Sequence, residues 1–193
     1  MCAANLARQR KLTGSAVNAA WASMLKTKNI ASFILALLLI FPFASPAASL
    51  SAKDRAPDFI MQTLDGKKVS LADFTGKYIL MNFWATWCGP CKVEMPSLEA
   101  LHNKFKSRNF AVLAVSNDIF GAKVVKPFVE AHKMSFTVSL DQDLEVSSRY
   151  GVVSLPTTFL IDPSGVIIGV LNGAEDWANA ETLNYFEGLL NHP

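Results

Sequence analysis

Two cysteines stand three residues apart in Trp87-Cys88-Gly89-Pro90-Cys91, where an apolar run gives way to a segment of helical spacing. Positions i and i+3 of a helix bring Cβ atoms to about 5–6 Å, within reach of a reversible disulfide. Cys88 falls at the helix N-terminus, where unpaired N–H groups and the positive end of the macrodipole favour a thiolate. Cys88 is therefore the expected nucleophile, with a lowered pKa. Cys91, one turn inside, is expected to be more buried and less acidic, suited to resolving a mixed disulfide. Pro90 fits the first helical turn, where no intrahelical N–H bond is lost. The plainer uses of such a pair are a stabilising bridge and half of a zinc site. A bridge across so short a loop constrains the unfolded chain little. Zinc takes about four ligands, and beyond His102 the other histidines, His132 and His192, lie far along the chain. Reversible thiol–disulfide chemistry is the expectation.

The elements that must carry this pair alternate strand-like and helix-like patterns, which predicts an α/β domain. Residues 59–63 and 68–70 flank Asp65-Gly66, a hairpin signal, and Ser70 with Asp73 predicts a capped helical turn. Residues 78–85 (YILMNFWA) form a near-continuous apolar run, the expected central strand covered on both faces. Residues 90–106 place Val93, Leu98, Leu101 and Phe105 at helical spacing, with Pro96 expected to kink the helix. A strand over 110–116 completes a βαβ unit with parallel strands. A helix around 124–132, a strand around 136–140 and a short helix over 144–150 follow. Strands 157–161 and 166–171 bracket Asp162-Pro163-Ser164-Gly165 as an antiparallel pair, and residues 177–190 read as a last amphipathic helix.

Glu94 stands one turn beyond Cys91 and can exchange the proton that resolution requires if the helix aims it inward; a solvated glutamate near a helix start is the ordinary alternative. Trp87 is expected to pack over the sulfurs and limit their solvent access, and Trp84 to be structural. Pro156, opening a strand, reads on its own as an edge or turn residue.

The segment from Phe83 through Lys92 (FWATWCGPCK) resembles the active-site segment of the thioredoxin superfamily. Ala56-Pro57-Asp58-Phe59 and Leu155-Pro156-Thr157-Thr158-Phe159 resemble further signatures of its TlpA/ResA-like branch. The resemblance implies a thioredoxin-like fold, a central mixed β-sheet flanked by helices with an N-terminal β-hairpin extension. It also implies a Cys88–Cys91 active-site disulfide and a cis Leu155–Pro156 bond that sets the Leu155 backbone beside the disulfide as a docking edge for an extended substrate. ResA-type proteins carry a glutamate at the spacing of Glu94, which favours its functional reading. Asn82 departs from thioredoxin itself, which has a buried acid there; an amide cannot shuttle a proton, which leaves Glu94 or water.

Composition narrows the rest. With 51% hydrophobic and 18% charged residues over 193 positions, disorder and collagen-like repeats are excluded. Residues 1–52 carry Arg8, Arg10, Lys11, Lys26 and Lys28 and no acid, and the remainder has no basic run, so nucleic-acid binding is not expected. Lys26 and Lys28 precede an uncharged run over 30–43, and small residues follow over 44–48. That order predicts an export signal over 1–48, with Met24 as the true start; an uncleaved membrane anchor over 30–43 is the alternative. The thioredoxin-like domain is placed at 53–193. The expected activity is that of an exported, periplasmic or extracytoplasmic thiol–disulfide oxidoreductase that needs no metal or organic cofactor. The Gly89-Pro90 pair resembles that of reducing thioredoxins, which favours a reductase recharged by a membrane thiol donor. Its expected substrates are disulfide-bonded exported proteins, including the haem-binding segments of apocytochromes c. A disulfide-inserting oxidant and a redox-inert peptide-binding module are the rival readings. Peroxidase chemistry is disfavoured: Met81 and Ala85 stand where peroxiredoxins have Pro and Thr.

Overall fold

The computed structural model describes residues 50–191, so the export signal, the anchor and the Met24 start lie outside the described residues. Seven strands, β1 (Ile60–Thr63), β2 (Lys68–Ser70), β3 (Tyr78–Trp84), β4 (Phe110–Ser116), β5 (Thr137–Leu140), β6 (Thr157–Ile161) and β7 (Ile167–Asn172), form one sheet in the order β2-β1-β5-β4-β3-β6-β7. The helices are α1 (Gly89–Phe105), α2 (Ala122–Ala131), α3 (Glu145–Arg149) and α4 (Ala180–Asn191). This is a thioredoxin-like α/β fold.

Local chemistry explains the boundaries. Gly66 sits at φ +79°, the left-handed conformation that lets β1 and β2 close as an antiparallel hairpin on the β5 edge. The side chain of Asp73 accepts from both the N–H and the hydroxyl of Ser70, capping a 3-10 turn over Leu71–Phe74. α4 begins at Ala180 rather than Trp177: Asn179 Oδ1 accepts from Thr182 N–H at 2.8 Å, and this cap starts the helix after the tryptophan.

β3 is buried along its whole length, and its side chains alternate between two cores. Ile79, Met81 and Phe83 enter one core, with Tyr150, Phe159 and Ile161. Tyr78, Leu80 and Trp84 enter the other, with Leu98, Leu101, Phe105 and Phe186. The parallel steps β3 to β4 and β4 to β5 advance in one direction, so right-handed crossovers lay α1 and α2 on the same face. Period two then puts Asn82 on the α1 side with Leu80 and Trp84. On α1 the buried stripe is Cys91, Glu94, Met95, Leu98, Leu101 and Phe105. Val93 is not part of it and is exposed, because two residues from Cys91 turns it about 200° around the axis. Pro96 lies within α1, which runs on to Phe105.

Candidate active site

The C-terminal ends of the central parallel strands β3 and β4 carry the site. Trp84 O accepts from Asn117 N–H at 2.9 Å, and the next two residues of each strand converge on a carboxylate. Asp118 is buried and accepts from Thr86 N–H (2.9 Å), Thr86 Oγ1 (2.6 Å) and Ser116 Oγ (2.8 Å). It fixes the turn that delivers Cys88 to α1. Sequence reasoning passed over Asp118, although its place just past a central strand end was a signal. Asp118→Ala leaves the buried Ser116 hydroxyl and the two half-buried donors of Thr86 without their acceptor, and urea denaturation is expected to show a loss of about 1–3 kcal/mol.

Cys88 is the N-cap of α1, and its Sγ accepts from Cys91 N–H at 3.2 Å. A helix-end donor is thus aimed at the sulfur, an arrangement that favours negative charge there. Cys88 and Cys91 are joined as a disulfide with Cα atoms 5.3 Å apart. Cys91 is fully buried and Cys88 is 5% exposed, so Cys88 is the sulfur with solvent access. Gly89 and Pro90 form the first turn of the helix.

Trp87, the residue before Cys88, is 69% exposed. Together with Ile119, Phe120, Leu144, Val153 and Leu155 it lines a groove of about 530 Å³ that starts one residue before Cys88 in the chain. The Leu155–Pro156 bond is cis. Trp84 is buried against Phe128, with ring centroids 5.2 Å apart, in keeping with a structural role. His102 packs edge-on to Phe136, and burial pushes its imidazole down from its ordinary value.

Glu94 is 2% exposed, which removes the solvated alternative. Its Oε1 accepts from Asn82 Nδ2 at 2.9 Å; its Oε2 accepts from Glu175 N–H and Trp177 Nε1–H, each at 3.2 Å. Asn82 Nδ2 also donates to Thr158 Oγ1 at 2.9 Å. The strand position that departs from thioredoxin therefore binds an acid supplied by the helix. Burial pushes the Glu94 carboxyl above its ordinary value, and the donors from Asn82, Glu175 and Trp177 oppose that rise. The result is a buried acid, held by three donors, one helical turn beyond Cys91.

Residues 52–170 match the AhpC/TSA family. The chain belongs to that family. Within it, the chain is similar to thiol-disulfide oxidoreductase ResA of Bacillus thuringiensis subsp. konkukian, at 41% identity over 120 residues, covering 62% of this chain and 69% of that one. ResA of Bacillus subtilis is 39% identical over 126 residues, covering 65% and 69%. The solved thioredoxin domain of a thiol-disulfide oxidoreductase of Bacteroides vulgatus superposes with a TM-score of 0.65 at 32% identity, covering 74% of this chain and all of that one. StoA of Bacillus subtilis gives 0.58 at 28% identity, covering 74% and 99%. With its Cys88–Cys91 pair, this AhpC/TSA family member is a thiol–disulfide oxidoreductase of the ResA-like kind. Among its described residues no helix is long and apolar enough to cross a membrane.

Proposed function

We propose that the chain acts outside the cytosol as a reductase of disulfides in exported proteins. The observation that carries this reading is the two-sided site. Cys88 stands at a helix N-cap and directly follows Trp87 of an open apolar groove, while Cys91 and Glu94 are buried behind it. In the reduced enzyme the Cys88 thiolate attacks one sulfur of a substrate disulfide, and the other sulfur leaves as a thiolate that takes up a proton. Cys91 gives its proton to Glu94 and attacks Cys88 Sγ, which releases the second substrate thiolate. The substrate gains two electrons, and the Cys88–Cys91 pair loses them to its own disulfide. A thiol donor in the membrane restores the dithiol. The leader pattern over 26–48 supports export, and the Gly89-Pro90 pair supports the reducing direction.

The groove holds the substrate chain on either side of its cysteine, with the Leu155 backbone as docking edge and Trp87, Gly89 and Pro90 framing the reacting sulfur. The disulfide-bonded Cys-x-x-Cys-His segment of an apocytochrome c is a substrate of this form. Val153, 94% exposed on the groove, is the position to alter. Val153→Asp is expected to raise KM for a folded disulfide substrate about tenfold with kcat unchanged, the equivalent of about 1.4 kcal/mol of lost contact. The proposal is tested by mixing reduced protein with an oxidised Cys-x-x-Cys-His peptide, and oxidised protein with the reduced peptide. Rapid appearance of peptide thiols in the first mixture, with little disulfide formed in the second, is the expected result; the reverse preference makes the protein an oxidant.

A further inference from the structure

Between β7 and α4, residues 173–179 run as a strap across the buried side of the site. Its first residue is tied to the docking edge, with Gly173 N–H donating to Pro156 O at 2.8 Å. Its middle is tied to the proton site, through Glu175 N–H and Trp177 Nε1–H on Glu94 Oε2. A third tie fixes the tryptophan backbone: Trp177 N–H donates to Ser97 Oγ at 3.1 Å, one turn beyond Glu94 on α1. Trp177 is buried, and its indole is the only side chain the strap sends to the acid among the described residues.

The ring of partners around Glu94 is one-sided. Asn82, Glu175 and Trp177 all present N–H groups, so both carboxylate oxygens face donors and neither faces an acceptor. A protonated acid has no place for its hydrogen in this ring unless a donor withdraws. Asn82 turns its NH₂ to Glu94 and Thr158 and leaves its own buried Oδ1 without a protein partner. The ring is arranged for an anion at the expense of a neighbouring carbonyl. The charged group facing Glu94 from the strap is the Glu175 carboxylate. Cys91 is the titratable group one turn back on α1, while β3 and β6 contribute Asn82 and Thr158, which do not titrate in this range.

We propose that Trp177 is a positioning residue for disulfide exchange, its indole N–H holding the Glu94 carboxylate in place to take the Cys91 proton. This rests on the reading of Glu94 as the proton acceptor. Removing the indole N–H takes one of three donors from the anion and leaves the neutral acid unharmed, so Glu94 holds its proton to higher pH.

The test is the pH–rate profile for reduction of a fluorescent disulfide peptide by the full chain in its dithiol form. Wild type is compared with Trp177→Phe, Trp177→3-benzothienylalanine and Glu94→Gln. The benzothienyl variant keeps the shape of the indole and replaces only its N–H by sulfur. The limb of the profile that Glu94→Gln removes is expected to move upward by roughly one pH unit in both Trp177 variants. An unmoved limb in the benzothienyl variant overturns the role of the indole N–H, whatever Trp177→Phe does to folding. A wild-type profile with no limb that Glu94→Gln removes overturns instead the reading of Glu94 on which the proposal rests.

Discussion

Cys88→Ser abolishes disulfide reduction, lowering turnover of insulin by a factor on the order of 10³ or more. Oxygen in place of sulfur leaves the helix N-cap occupied, yet a serine hydroxyl at this site has no base to activate it, and it forms no disulfide with the substrate. Cys91→Ser behaves differently. The Cys88 sulfur still attacks, but the resolving thiol is missing, so a mixed disulfide between protein and substrate accumulates and is visible on a non-reducing gel. This asymmetry follows from the geometry, because Cys88 keeps some solvent access and directly follows the groove residue Trp87, while Cys91 is fully buried. Equal activity in Cys88→Ser and wild type would contradict the catalytic role of Cys88.

Glu94→Gln is expected to slow resolution about 10- to 100-fold near neutral pH and to flatten its pH dependence. Glu94 serves as a base only while ionised, so in wild type the rate falls as pH drops through its raised pKa; the glutamine variant lacks that limb. The same variant reads the burial of the acid through stability. Because the folded-state pKa is raised above the ordinary 4.5, the native state binds more protons than the unfolded state between that value and the folded pKa. Wild-type stability therefore falls as pH rises through this window, while that of Glu94→Gln does not. Urea midpoints for the two proteins across the acidic range should separate progressively in favour of glutamine. Parallel curves would place Glu94 in contact with solvent, contrary to its burial.

Much of this architecture was legible because it rests on local signals. The Asp65-Gly66 hairpin needs only a residue tolerant of positive φ, and Gly66 supplies it. The apolar run at 78–85 has too few polar positions to be anything but a central strand, and β3 is buried throughout. The two cysteines and their helix start were readable for the same reason, since the N-cap, Pro90 and the i,i+3 spacing are contiguous. The partners of Glu94 were less accessible. Two periodicities, period two on β3 and the i+3 stripe on α1, already aim Asn82 and Glu94 into one gap, but that conclusion requires the register between strand and helix. Trp177 lies 83 residues from Glu94 and extends an amphipathic pattern that imitates helix. Only the path of the strap, set by the Asn179 cap and the tie to Pro156, turns its indole inward. Val93 is apolar yet lies off the buried stripe, because hydrophobicity alone does not fix a residue's angle around the helix axis.

The direction of electron flow is best decided by the potential of the Cys88–Cys91 couple. The full chain is equilibrated in glutathione buffers of graded ratio, and the dithiol fraction is read by thiol trapping. A value near about −270 mV, that of thioredoxin, is the result expected of a reductase. A value near about −120 mV, that of strong oxidants, would contradict that assignment and make the protein a source of disulfides.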